Sequence, residues 1–142
     1  MITKAVKIND VNVKLYRIDA TGKILGKVAV KASQILLGKF NPAFVRYIIK
    51  GDKVIIENIS KLKISSKKLE KKYYSHSMYP GGLKVRTLKQ IYGKDPSKLI
   101  QLAVKGMLPK NRLGRRLITN MSLFNKEAPS EVIKKSILIN NI

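Results

Sequence analysis

Between residues 25 and 36 an apolar side chain returns at Leu25, Val28, Ala29, Ala32, Ile35 and Leu36. Steps of three and four place all six on one stripe of an α-helix, and Gly38 supplies a C-terminal stop. Lys23, Lys27 and Lys31 follow at four-residue steps on the outer face. Such a stripe must be covered, and its flanks indicate by what. Before it, Val13 to Ala20 alternates and reads as a strand, with turn and cap chemistry in Asp19-Ala-Thr-Gly22. After it, Asn41-Pro42 opens a connector that runs to Lys50-Gly51-Asp52. Val54-Ile55-Ile56 is then a short continuous apolar run, the pattern of a strand buried on both faces. Strand, helix and strand within about 45 residues make a βαβ unit, with a right-handed crossover expected.

The remaining elements follow from local signals. Leu62 and Ile64 alternate with Lys61 and Lys63, which predicts a third strand. Tyr79-Pro-Gly-Gly82 suits a type II turn, with Pro80 at its second position and Gly81 supplying the positive φ. Thr87 caps a short helix that Gly93 ends, and Asp95-Pro96 starts a longer one. Leu99, Leu102 and Ala103 form that helix's inner face, and Gly106 ends it. Pro109 falls in the first turn of a further helix, on which Leu113 and Leu117 face inward. Met121 to Phe124 reads as one more strand, while the apolar segment Val132 to Ile139 receives no assignment. Residues 1–12 read as an extended arm.

Charge narrows the function. Of 142 residues, 30 are Lys or Arg and 8 are Asp or Glu, for a net charge of +22. Residues 61–142 hold 19 of those cations against 4 acids, so the excess sits mainly in the second half. A domain this basic repels itself unless a polyanion neutralises it, which places nucleic acid first among partners and an anionic membrane surface second. With 44% apolar residues and this length, one domain can bury a core without staples. Cysteine is absent, which removes disulfides and thiolate chemistry, and a single histidine, His76, cannot assemble a His-based metal site. No apolar run approaches the roughly 18 residues of a membrane span, and the first ten residues lack a signal peptide's apolar core. Gly22-Lys-Ile-Leu-Gly26-Lys27 matches neither dinucleotide nor P-loop spacing, and Asp10, Asp19, Asp52 and Asp95 fall where turns or caps use them. No enzyme, cofactor, metal or small-molecule substrate is expected.

Two stretches concentrate the cations. Lys67, Lys68, Lys71, Lys72, Lys84 and Arg86 surround Tyr73, Tyr74, His76 and Tyr79, offering charge for phosphates and rings for unpaired bases. The same tyrosines can instead pack on the sheet, and one ring in with one out satisfies both readings. The second stretch, Val104 to Arg116, carries Lys105, Lys110, Arg112, Arg115 and Arg116 with no acid among them. On a helix its three arginines fan across roughly 100°, and their planar forks grip phosphate oxygens in pairs.

Tyr73-Tyr-Ser-His-Ser-Met-Tyr-Pro-Gly-Gly-Leu-Lys84 and Ala103-Val-Lys-Gly-Met-Leu-Pro-Lys-Asn-Arg-Leu-Gly-Arg115 closely resemble the large-subunit ribosomal protein thirteen family in its bacterial form. Asp19-Ala-Thr-Gly22, Leu25-Gly-Lys-Val-Ala29 and Gly51-Asp52 match in the same order, so the resemblance covers roughly residues 14–124. It implies an α/β fold of three layers, α/β/α, around a four-stranded, largely parallel sheet with basic loop and hairpin extensions. It also implies binding to large-subunit ribosomal RNA, a part in subunit assembly, contacts with neighbouring ribosomal proteins, and residence in the ribosome of the cytoplasm or of an organelle. RNA contact carries over onto Lys72, Tyr73, Tyr74, His76, Lys84, Lys110, Asn111, Arg112 and Arg115. The chain departs from the family after Phe124, where Asn125-Lys-Glu-Ala-Pro-Ser stands in place of a proline–histidine-rich segment. The expected organisation is an arm over 1–12, one α/β RNA-binding domain over 13–124 and a tail over 125–142. A free regulatory RNA-binding protein acting on a messenger is the rival reading, because it would use the same basic face.

Overall fold

The computed structural model describes residues 13–41, 44 and 52–139. The arm over 1–12 and most of the connector before Asp52 lie outside these residues. In chain order the elements are β1 (Leu15–Asp19), α1 (Leu25–Leu36), β2 (Lys53–Glu57), α2 (Ser66–Leu69), β3 (Lys72–His76) and β4 (Leu83–Thr87). Then come α3 (Leu88–Lys94), α4 (Pro96–Met107), α5 (Arg112–Thr119), β5 (Met121–Leu123), α6 (Ser130–Lys134) and β6 (Ile137–Leu138).

The βαβ unit forms as expected, with β1 and β2 parallel and paired from Leu15–Lys53 through Asp19–Glu57. β2 is buried from Val54 to Glu57 because it lies inside a four-stranded parallel sheet ordered β5-β2-β1-β6. The α/β architecture with a parallel sheet thus stands. Across one sheet face Tyr16, Val54 and Met121 lie side by side, as do Ile18, Ile56 and Leu123. The stripe of α1 packs there, joined by Ile100 and Val104 of α4 and Leu117 of α5. Each fully buried Val, Leu or Ile contributes roughly 1.5–3 kcal/mol, so this face is the main source of stability. The other face holds Ile55 beside an Arg17–Glu57 ion pair at 3.4 Å.

The ends of the βαβ unit show local chemistry at work. Gly38 has φ +74°; its N–H donates to the Ile35 carbonyl (2.8 Å) and the Lys39 N–H to that of Gln34 (3.0 Å). These two bonds close α1 as a Schellman motif. At the start of α1 Ile24 occupies the cap position without a side-chain bond, so Asp19 does not cap the helix. Its Oδ1 instead accepts from the Thr21 N–H (3.0 Å), the Thr21 hydroxyl (2.7 Å) and the Asn58 side-chain amide (3.0 Å), tying together the ends of β1 and β2. Partial burial alone would raise the Asp19 carboxyl, but these hydrogen bonds, with Lys23 nearby, outweigh it and hold the group below its ordinary 3.8. A carboxyl lowered in the folded state stabilises it above the unfolded value and loses that contribution as pH falls through the folded one. Wild type and Asp19→Ala should therefore differ in denaturant midpoint at neutral pH and converge in acid below the carboxylate range. A gap that persists unchanged into acid would contradict this account.

Three expectations need correction. The alternation at Lys61 to Ile64 does not make a strand. Asn58 turns the chain with φ +57°, Ile59–Lys61 wind as a single 3-10 turn, and pairing is limited to one bridge between Ile24 and Lys63. Leu62 lies on that connector and is buried in the main core, so one-sided packing produced the strand-like pattern. Pro109 does not open α5, whose first residue is Arg112 and whose cap is Asn111. Leu117 is buried on α5, whereas Leu113 is only half-buried. Leu117→Ala should accordingly cost about 2–5 kcal/mol and Leu113→Ala roughly 1–2 kcal/mol, an order that chemical denaturation checks.

The apolar segment Val132 to Ile139 supplies the end of α6 and all of β6. Tyr16–Ile137 and Arg17–Leu138 pairs place β6 beside β1. The chain leading there is pinned: Asn58 N–H donates to the Lys126 carbonyl (3.0 Å), and Ala128 N–H donates to Glu57 Oε2 (3.3 Å).

Candidate nucleic-acid interface

The β3–β4 hairpin pairs only with itself and stands apart from the main sheet. Its register sets Tyr73 opposite Arg86 and Ser75 opposite Lys84 on one face, with Tyr74 opposite Val85 and His76 opposite Leu83 on the other. Only Tyr73 and Thr87 of its ten strand residues are even half-buried. The two tyrosines divide the alternatives between them. Tyr73 packs against Leu88, Ile91 and Leu99, with the Lys71 ammonium 5.6 Å from its ring centre, while Tyr74 is 66% exposed. Lys67 and Lys68 on α2, then Lys71, Lys72, His76, Lys84 and Arg86, are all exposed around them.

The hairpin's tip and base are both built in. At the tip Gly81 has φ +71° and the Gly82 N–H donates to the Tyr79 carbonyl (2.9 Å), the expected type II turn. His76 Nδ1 accepts from the Met78 N–H (2.9 Å), which ties the exposed ring to the hairpin's turn and leaves Nε2 without a protein partner among the described residues. At the base Thr87 Oγ1 accepts from the Gln90 N–H (3.3 Å) and Gln90 Oε1 from the Thr87 N–H (3.0 Å). This capping box joins the end of β4 to the start of α3.

The second basic cluster lies at the other end of α4. Asn111 Oδ1 accepts from the Gly114 N–H (2.8 Å), so its side-chain oxygen serves as the helix cap and its amide NH₂ remains. Gly114 is buried against the Pro109 carbonyl. With Gly114 and Leu117 inward, Arg112, Arg115 and Arg116 all face solvent, as do Lys105, Lys110 and Asn111. The helix α4 links the two clusters, and twelve residues at 1.5 Å each set them roughly 18 Å apart. Lys98, Gln101 and Lys105, spaced three and four apart, run exposed along its outer side.

Between the hairpin and the helices α3 and α4 lies a cleft of about 580 Å³, lined by Tyr73, Tyr74, Ser75, Arg86, Gln90, Ile91, Lys94, Asp95, Lys98 and Leu102. Nothing in the local charge density of the sequence marks Lys94 and Lys98, since neither belongs to a dense basic run. Their signal was the Lys94-Asp-Pro-Ser-Lys98 spacing about a helix start, which brings both cations to one end of α4.

Among the described residues the one ion pair is Arg17–Glu57, so no cation of the hairpin, of α4 or of α5 has a carboxylate partner. No group of three or more His, Cys, Asp or Glu side chains could hold a metal ion among them, and no helix is long and apolar enough to cross a membrane. Fold and surface thus define a class: a small, strongly basic α/β protein whose cations are carried on extensions of a parallel sheet. Residues 13–136 match the family described as ribosomal protein L13. A large ribosomal subunit protein uL13 from Thermotoga maritima is 43% identical over 134 residues, covering 93% of this chain and 90% of that one. That of Aquifex aeolicus is 47% identical over 125 residues, 87% of each, and that of Geobacillus kaustophilus 42% over 137 residues, 95% and 94%. The chain belongs to the ribosomal protein L13 family. It is a bacterial-type ribosomal protein, resident in the ribosome of the cytoplasm, and not an enzyme.

Proposed function

We propose that the chain is a structural constituent of the large ribosomal subunit that binds large-subunit RNA through its hairpin and its α4–α5 end, and so supports subunit assembly. The observation that carries this reading is the exposure of these cations without carboxylate partners, on elements that the core fixes in place. Lys and Arg neutralise phosphates where RNA segments converge, release counterions and lower the cost of close packing. Because the charges are held at fixed spacing by folded elements, they recognise RNA shape more than base sequence. Asn111 meets RNA through its NH₂, since its oxygen is engaged as the cap. Neighbouring ribosomal proteins are the second class of partner.

Sedimentation of cell extract through a sucrose gradient at low and high salt tests the reading. The protein should stay with the large-subunit peak at high salt. A pool at the top of the gradient, or release at modest salt, would favour a free regulatory RNA-binding protein instead.

A further inference from the structure

We propose that the cleft between the β3–β4 hairpin and the helices α3 and α4 is a pocket for one unpaired RNA nucleotide, drawn out of its strand. The inference rests on the RNA-binding reading and adds a particular site to it. The cleft's volume, about 580 Å³, lies in the range of small-molecule sites, roughly 300–1,000 Å³, and is too confined for a duplex. Its lining is sorted by chemistry. Tyr73, Ile91 and Leu102 give an apolar floor suited to the flat face of a base. Arg86 from the hairpin, Lys94 from the end of α3 and Lys98 from the first turn of α4 bring three cations to the same opening, against the single acid Asp95. A phosphate fits that balance and a cationic ligand does not. For the edge of the base Gln90 offers its amide NH₂ as donor and Asp95 its second carboxylate oxygen as acceptor, since Gln90 Oε1 and Asp95 Oδ1 already serve helix caps. Sequence-specific RNA recognition generally takes this form, a splayed base held by stacking and edge contacts beside a fixed phosphate.

The hairpin explains why the site faces a ligand at all. Its cleft-facing side is anchored at Tyr73 while Ser75 and Lys84, further out, remain exposed. An isolated two-stranded hairpin is only marginally stable in water, and a nucleotide wedged against this side would fasten it to α3 and α4.

The test uses the full chain with three probes: an adenosine ribohexamer, its fully abasic counterpart with all six bases removed, and adenosine 5′-monophosphate. Amide shifts in nuclear magnetic resonance spectra are expected at residues 73–75, 86–98 and 102 on adding the intact hexamer. The abasic hexamer should bind about fivefold or more weakly. Lys94→Gln with Lys98→Gln should reduce hexamer affinity and abolish those shifts, and Ser75→Trp, which fills the cleft without touching the core, should do the same. Shifts confined to α5, or equal binding of the intact and abasic hexamers, would overturn the pocket. Monophosphate binding as tightly as the hexamer would assign the cleft to a free nucleotide and overturn an RNA occupant. Binding of large-subunit RNA by the same preparation separates the two levels. If that binding persists while the cleft gives no response, the pocket fails alone; if it is absent, the RNA-binding reading fails with it.

Discussion

Replacing Arg112, Arg115 and Arg116 together by alanine should flatten the log–log dependence of RNA affinity on salt by roughly 2–3 units, at about 0.7–0.9 per phosphate contact. Between roughly 50 and 200 mM salt the variant should then lose about twenty- to fortyfold less affinity than the wild type does. At low salt it should bind far more weakly, because three bidentate donors on one helix face are gone. The fold should survive. All three side chains are exposed, and α5 is held by Gly114 and Leu117. Surface changes of this kind usually stay within about 0.5 kcal/mol, so the thermal transition serves as the internal control. An unchanged slope with an intact fold would remove the arginine face from the RNA interface.

Gly114→Ala tests the same face from behind. A Cβ on Gly114 would stand 3.0 Å from the Pro109 carbonyl carbon and within contact distance of its oxygen. The obstacle is backbone, which cannot rotate aside, and the segment from Pro109 to Asn111 is fixed by the cap bond to Gly114 itself. One methyl group should therefore cost about 3 kcal/mol or more, the upper end for overpacking. It should also weaken RNA binding by moving α5, although it removes no charge. The two variants thus dissociate: the triple arginine change alters the salt slope at constant stability, and the glycine change lowers stability first. Paired denaturation and binding titrations distinguish them. A Gly114→Ala protein as stable as wild type would show that the chain reaches α5 by another path.

How much of this was legible depends on how local each cause is. The α1 stripe and the buried run Val54 to Ile56 could be read directly, because each pattern reports one face or two faces of burial. The type II turn at Tyr79 and the caps at Thr87 and Asp95 were equally local. The alternation at Leu62 and Ile64 misled because an extended connector lying on a core shows the same period as a strand, and nothing in the sequence reports whether a neighbour pairs with it. At the start of α5 the proline at Pro109 misled, because the helix is capped two residues later by Asn111. The close approach of Gly114 to the Pro109 carbonyl is a tertiary fact that no local pattern reports. β6 has two residues, too few to show any period. The basic extensions were visible because cations and tyrosines interleave there in numbers no core requires. The cleft was not visible, since its cations come from three elements that meet only in the folded chain.

The position of β6 has a consequence for how the molecule is made. The strand that covers the outer edge of β1 comes from Ile137–Leu138, about eighty residues after β2 ends. At roughly 5–20 residues per second that is a wait on the order of 4–16 s. Throughout it the nascent βαβ unit presents the bare edge of β1, a row of unanswered amides able to recruit a stray strand. A chain without residues 137–138 would keep that edge open for good, so the sheet is closed only by a segment made long after its centre.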